Sequence, residues 1–255
     1  MSEQIKVVTY NIHKGFSVGN RRFVLHGIRE ALNKSAADLL FLQETQGEHS
    51  RRAHRHVDWP LQSQYEFIAD QNWPHHAYGR NAIYDAGHHG NAILSRFPFI
   101  EWENINVSTM ARASRSVLHG VVRLSAATRP LHVVCIHFGL FASERRRQVD
   151  VLCDRIDAHV PAHEPLIVAG DFNDWTGQAN LELASRLGLT DVFDHLHGRN
   201  ALSFPALWPV LPMDRIYFRA LQPLQATQLH GAAWRRLSDH VPLMATFELG
   251  ETWLS

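Results

Sequence analysis

Apolar and polar residues follow two rhythms along this chain. Short runs rich in Val, Ile, Leu and Phe occupy 5–10, 38–44, 90–95, 117–124, 131–138, 166–171, 213–218 and 241–249. Runs of that length and composition predict buried β-strands. Elsewhere the spacing is helical. Apolar residues at 24, 28, 31 and 32 predict a helix over 22–34. Val149, Leu152, Ile156 and Val160 predict another over 143–160, with Arg145, Arg146 and Arg147 on its wet face. Leu181, Ala184 and Leu187 predict a third, stopped by Gly188.

The segments between are less regular. Residues 11–15 read as a loop. Residues 45–90, rich in His, Arg, Asn and Trp, predict loops and short strands that include part of a substrate surface. Pro98 breaks the strand before it. An Ala-Thr-Arg-Pro connection joins two runs as a hairpin, and Pro205, Pro209 and Pro212 make 203–212 an irregular crossing. There is no repeat, low-complexity stretch or linker, so one domain over 1–255 is the economical reading.

Composition narrows the function. Lys plus Arg equals Asp plus Glu, 25 each, so global charge gives no support to non-specific DNA binding. The 18 histidines would make net charge drift positive below about pH 6.5. Cys135 and Cys153 sit in apolar, periodic stretches and read as small buried hydrophobes without a disulfide. No apolar run reaches membrane-spanning length and no signal peptide is visible, so the expected location is cytoplasmic.

The candidate chemistry lies at the strand ends. Leu-Ile-Val-Ala-Gly170 leads directly into Asp171-Phe172-Asn173. If the chain stays extended there, Asp171 and Asn173 project the same way. Asn11, Glu44, His137 and the pair Asp239–His240 also end or flank predicted strands, and Asp214 opens one. Each alone has an ordinary explanation as a turn or solvated residue. Together they can meet in one crevice, because strands of one sheet deliver their ends to a common edge. Glu44, Asn11 and Asp239 offer hard oxygen ligands suited to Mg²⁺. His240 with Asp214 is a poised base or phosphate contact. No Ser or Cys nucleophile motif and no Gly-rich phosphate loop is present, so water is the expected nucleophile, acting on a phosphate ester.

The motifs Tyr10-Asn11, Leu42-Gln43-Glu44, Gly90-Asn91-Ala92-Ile93-Leu94-Ser95, His137-Phe138, Gly170-Asp171-Phe172-Asn173, Asp214-Arg215-Ile216 and Ser238-Asp239-His240 resemble those of the endonuclease/exonuclease/phosphatase superfamily, in its order and over nearly the whole chain. Within it, Asn-Ile-His-Lys-Gly-Phe at 11–16, Tyr-Gly-Arg-Asn-Ala at 78–82 and Gly-Asp-Phe-Asn-Asp-Trp at 170–175 are similar to the bacterial YbhP-type proteins. The resemblance implies a DNase I-like four-layer α/β sandwich, two packed mixed sheets flanked by helices. It implies Mg²⁺, with Mn²⁺ as substitute, on Glu44 with Asn11 nearby and Asp239 as a second metal-side carboxylate. It implies that Asp171 orients or deprotonates water, that Asn173 and His137 donate to phosphate, and that His240 is the essential histidine held by Asp214. Which of His240 and Asp171 is the general base stays open.

The implied substrate is a phosphodiester, from nucleic acid or a phospholipid head group, with no protein partner. Asp174-Trp175 and Pro212-Met213 depart from the inositol 5-phosphatase pattern. His137 stands where AP endonucleases carry a Tyr-bearing motif. A phosphomonoesterase and a catalytically silent binding module are the alternatives. Asn91, Arg115 and Trp175 are candidate substrate contacts, each with a structural alternative. Trp73 and Trp208 are candidates for stacking or lipid contact, with packing as the alternative. The basic run Arg51, Arg52, His54, Arg55 and His56 reads as a solvated segment, and the paired histidines 75–76 and 88–89 as poor chelates, since neighbours on a strand face opposite ways.

Overall fold

The computed structural model describes residues 3–108, 115–125 and 129–249. In chain order the strands are β1 (Glu3–Asn11), β2 (Leu39–His49), β3 (His75–Tyr84), β4 (Gly87–Ser95), β5 (Phe99–Asn106) and β6 (Ser116–Val122), then β7 (Leu131–His137), β8 (Leu166–Asp171), β9 (Thr190–Asp191), β10 (Asp214–Arg219), β11 (Gln222–Gln228) and β12 (Leu243–Leu249). The helices are α1 (Leu25–Ser35), α2 (Ser50–Ala53), α3 (Gln64–Ala69), α4 (Ala142–His159), α5 (Gln178–Leu187) and α6 (Val192–His197). One six-stranded sheet runs β11-β12-β1-β2-β4-β3 and the other β5-β6-β7-β8-β10-β9. Only β1–β2 and β7–β8 pair in parallel among these neighbours.

The alternation of side chains along each strand divides the protein into layers. On β1, Ile5 and Val7 face the other sheet, whereas Val8 and Tyr10 face helices. On β8, Ile167 and Ala169 face inward, and Leu166 and Val168 outward. The inner residues of both sheets form one core. Outside the first sheet, Leu25, Ile28 and Leu32 of α1 and Phe67 and Ile68 of α3 cover Leu40, Leu42 and Leu94. Outside the second, Val149, Leu152, Cys153 and Ile156 of α4 pack with Val134, Ile136 and Val168. Each fully buried Leu, Ile or Val contributes roughly 1.5–3 kcal/mol of transfer free energy. The result is four layers, helix–sheet–sheet–helix. Both cysteines are buried and free, as expected.

Three expectations change. The strand expected to end at Glu44 continues to His49. Its register against β4 shifts between Leu42 and Thr45, and Glu44 takes φ 56°. Such a bulge re-aims a side chain without ending the strand. The stretch 45–90 holds α3 and two long strands rather than short ones, because β3 and β4 pair with one another along a bulged hairpin. A further strand, β5, follows directly after Pro98. Part of the Ala-Thr-Arg-Pro connection lies outside the described residues.

Inner-face parity carries the site. Counting from Ile5 and Val7, Asn11 points between the sheets at the end of β1. By the same alternation His137, Asp171 and Asp214 point inward from β7, β8 and β10, and register pairs His137 with Asp171 and Asp171 with Asp214. Gly170 lets β8 approach β7 there. At its φ of 149°, a Cβ would fall 2.0 Å from the Ile136 carbonyl oxygen.

Candidate active site

His240 lies in the turn between β11 and β12, against the start of β10. Its Nδ1 donates to Asp214 Oδ2 at 2.7 Å. That bond fixes the tautomer and turns Nε2 towards Asp171 Oδ2, 3.8 Å away. All three side chains are buried. Asp171 Oδ1 accepts the Asn173 backbone N–H at 3.0 Å, and Oδ2 accepts Asn11 Nδ2 at 3.1 Å. His137 Nε2 lies 3.5 Å from the same Oδ2.

Charge follows from this packing. Burial alone would depress the His240 imidazole, but Asp214 and Asp171 overcome it and hold it above its ordinary range. Burial pushes the Asp171 carboxyl up, while His240 opposes the rise. His137 goes the other way: burial, aided by the Arg115 charge, holds it well below the usual histidine range. At neutral pH the site therefore presents a charged imidazole at His240 and a neutral one at His137.

Glu44 and Asp239 make the opposite wall. Lys14 Nζ sits 2.6 Å from Glu44 Oε2. His13 Nδ1 lies 3.7 Å from Asp239 Oδ1 and has no hydrogen-bond partner. Burial would raise Glu44, but the charges of His137 and Lys14 prevail and bring it down to about 2. Because His137 is neutral at pH 7, Lys14 is the cation that acts there. Asn11 joins the two walls: its Nδ2 reaches Asp171, and its Oδ1 accepts the His13 N–H at 3.0 Å. Its backbone carbonyl also accepts Ser238 Oγ at 2.7 Å, which anchors the Asp239–His240 turn.

Asn173 reaches the site by a route the extended-chain expectation misses. Its φ is 50°, so the chain turns, and Nδ2 donates to the Phe138 carbonyl at 2.9 Å. One amide N–H remains for a ligand. Asn91 is buried and donates to the Ser116 carbonyl at 3.2 Å, tying β4 to β6; its Oδ1 has no partner. Arg115, which precedes Ser116, has a buried Nε without a hydrogen bond. Trp175 is half exposed, with the Arg145 guanidinium 5.0 Å from its ring centroid. Arg145 is thus not on the wet face of α4: it is buried and donates to the Leu140 carbonyl. Trp73 is core, its Nε1 donating to the Ala37 carbonyl at 3.0 Å. In the basic run, Arg52 packs over Phe16 and donates to Gln46 Oε1, so it too is structural.

Two groupings could hold a cation. Ligand atoms of Asp171, Asp214 and His240 lie within 4.8 Å of one another. His240 Nδ1 and Asp214 Oδ2 are already committed to one another, so this trio is better suited to moving a proton than to chelation. Glu44, Asn11 and Asp239 offer hard oxygens only, and Glu44 stays ionised deep into acid. That donor chemistry fits Mg²⁺ or Mn²⁺. The sequence pattern does not single out His13 and Lys14 as site residues. Their charge in a loop after β1 is the one available signal, since left-handed backbone at non-glycine positions cannot be read from side-chain type.

The layered fold and the polar cluster at one end of both sheets define a DNase I-like α/β sandwich. Residues 8–240 match the model of the Endonuclease/Exonuclease/phosphatase family, and the chain belongs to that family. The uncharacterized protein YbhP of Escherichia coli K12 is 43% identical over 244 residues, covering 96% of each chain. Among solved structures, an endonuclease/exonuclease/phosphatase from Beutenbergia cavernae superposes with TM-score 0.74 at 19% identity, over 97% of this chain and 72% of that one. TDP2 of D. rerio, complexed with a single-strand DNA product, gives TM-score 0.68 at 21% identity, over 96% and 98%.

Proposed function

We propose that this protein is a divalent-metal-dependent phosphodiesterase that uses water as its nucleophile. The observation that carries this reading is the buried His240–Asp214 pair at 2.7 Å, directed at Asp171, in a site without a Ser or Cys nucleophile. Asp171 orients the attacking water and takes its proton. His240, held protonated by two carboxylates, donates to the phosphate and to the leaving oxygen. This division assigns the base role to Asp171. Neutral His137 and the free amide N–H of Asn173 contact phosphoryl oxygens. Glu44, Asn11 and Asp239 would hold Mg²⁺, with Mn²⁺ able to replace it. When bound, the cation offsets negative charge on the phosphoryl oxygens. Asn91 and Arg115 stand on the β4–β6 side for the substrate, and Trp175 stands at the rim.

Two diester classes fit. The single-strand DNA product held by D. rerio TDP2 supports nucleic acid as the class. The run Phe204 to Met213, which contains no charged side chain, supports a phospholipid-type diester. This run closes on itself through a Phe204–Leu211 bridge, exposes Leu207, Trp208 and Val210, and lays Phe204 5.0 Å from the His240 ring. A phosphomonoesterase would use the same residues. Among the described residues the chain carries every group the reaction needs, which disfavours a silent module.

Hydrolysis of bis(p-nitrophenyl) phosphate, with Mg²⁺ and with EDTA, tests the reading. Turnover should need metal and be lost in Glu44→Ala. Metal-independent turnover, or full activity in that variant, would overturn it. Single-stranded DNA, RNA, phosphatidylglycerol and a p-nitrophenyl monoester, compared in the same assay, separate the substrate classes.

A further inference from the structure

The loop after β1 has a feature the proposed reaction leaves unused. His13, Lys14 and Gly15 take φ of 46°, 57° and 77° in succession. Each left-handed non-glycine residue costs of order 1–3 kcal/mol and persists only where its surroundings enforce it. Here they do. Gln64, fully buried, donates to the Lys14 carbonyl at 2.8 Å and accepts the Gln46 N–H of β2 at 2.9 Å. The Asn11 side chain holds the His13 N–H, and Ile12 N–H reaches the Gln43 carbonyl at 3.1 Å. The clamp ties this loop to the Glu44 bulge, where the backbone is again left-handed. Both ends of the Lys14–Glu44 pair therefore stand on strained backbone. A pair that served only to stabilise the fold would need no such scaffold, because a partly exposed Lys–Glu pair is worth about 1 kcal/mol at most.

We propose that Lys14 is the site's own counter-ion, neutralising Glu44 while no metal is bound, then giving up that carboxylate to the divalent cation and turning to the substrate phosphate. The inference rests on the reading of Glu44 as a metal ligand. Its physical basis is position. The ammonium lies 2.6 Å from Glu44 Oε2, so a cation that coordinates this oxygen must displace it. The flexible four-carbon stem lets the ammonium leave while the backbone stays clamped, and its compact charge with three N–H donors suits a phosphate oxygen. The strained loop thus fixes the stem's origin and leaves its tip free.

Calorimetric titration of Mn²⁺ into the substrate-free protein is the test, with Lys14→Met, Lys14→Gln, Lys14→Arg and Glu44→Gln beside the wild type. Binding should vanish in Glu44→Gln. Lys14→Met and Lys14→Gln should bind Mn²⁺ roughly tenfold tighter, because the resident competitor is gone. The same variants should raise KM for bis(p-nitrophenyl) phosphate several-fold, and Lys14→Arg should restore both values towards wild type. Lys14→Gln keeps a hydrogen bond to Glu44, so it reports even if the Met variant does not fold. Mn²⁺ affinity unchanged or weakened in Lys14→Gln overturns the counter-ion role while leaving the metal reading intact. An unchanged KM overturns the phosphate contact. A wild type that binds no Mn²⁺, or binding that survives Glu44→Gln, overturns the metal reading and this inference together.

Discussion

The two walls of the site are built on different principles. The wall of His137, Asp171, Asp214 and His240 is closed. Three of its four side chains project from strands at positions set by ladder register, and all four are buried. Its charges are matched internally, carboxylate to imidazole, at 2.7 to 3.8 Å. The wall of Glu44, Asp239, His13 and Lys14 is open. Its side chains are partly exposed, three of its four residues have left-handed backbone, and Lys14 sits on its main carboxylate. Regular structure preorganises the closed half at little conformational cost. A group that must exchange partners is placed where the backbone is irregular and water can enter. Asn11 bonds to both walls, and it lies on regular β1.

The largest test of this contrast is substitution on each side. His240→Ala should lower kcat/KM by about 10³-fold, within the range for loss of a positioned acid–base group, and added metal should not restore it. Glu44→Gln should lose comparable activity at low Mn²⁺ but recover part of it as the concentration rises. Steady-state kinetics across a Mn²⁺ series measures both. Recovery of His240→Ala by metal would erase the distinction between the walls.

A smaller effect divides them by pH. Burial, with His132 and Arg155 nearby, holds His119 of β6 down to about 3, and His137 is likewise depressed. The unfolded chain takes up protons at these residues near pH 6.5 and the folded protein does not. Their contribution to stability is thus present above about pH 6.5 and is lost as pH falls below it. Glu44 has an ordinary value of 4.5 and a folded value of about 2, so its contribution is lost only as pH falls through that lower window. Urea unfolding should show stability declining by ~1.4 kcal/mol per pH unit for each buried histidine between about pH 6.5 and 4.5. In His119→Gln one histidine's share of that slope should disappear. An unchanged slope would show that His119 is not held neutral.

The smallest effect lies at the rim. Trp208 is 78% exposed, so Trp208→Ala should leave stability within about 0.5 kcal/mol. If its ring meets the apolar part of a phospholipid, KM for that substrate should rise about fivefold, the equivalent of about 1 kcal/mol, with kcat unchanged. Equal effects on single-stranded DNA and on lipid would remove the apolar run as a determinant of substrate choice.

Much of the closed wall is legible in the order of residues. Strand periodicity locates β7, β8 and β10, and the polar residues at their ends are candidates because strand ends converge. The helical stripe of α4 marks a buried face correctly, since Val149, Leu152 and Ile156 are all core. Hydrophobic period and element ends are local properties, and local chemistry encodes them. Where a local rule is extended across a turn it fails. An extended chain would set Asn173 beside Asp171, but the backbone turns and Asn173 reaches Phe138. Helical spacing would put Arg145 in solvent, but the Leu140 carbonyl and the Trp175 ring, both outside the helical pattern, draw it inward.

The succession of strands and helices, their buried faces and the candidate residues are thus determined by the sequence through period, length and end chemistry. The tertiary structure alone decides that Glu44 lies on a bulge inside β2, that Lys14 sits on it, and that Asn11 bridges the two walls. Those facts depend on register between strands far apart in the chain and on left-handed backbone held by Gln64. Neither leaves a mark in the order of residue types, because each arises only when separate segments pack against one another.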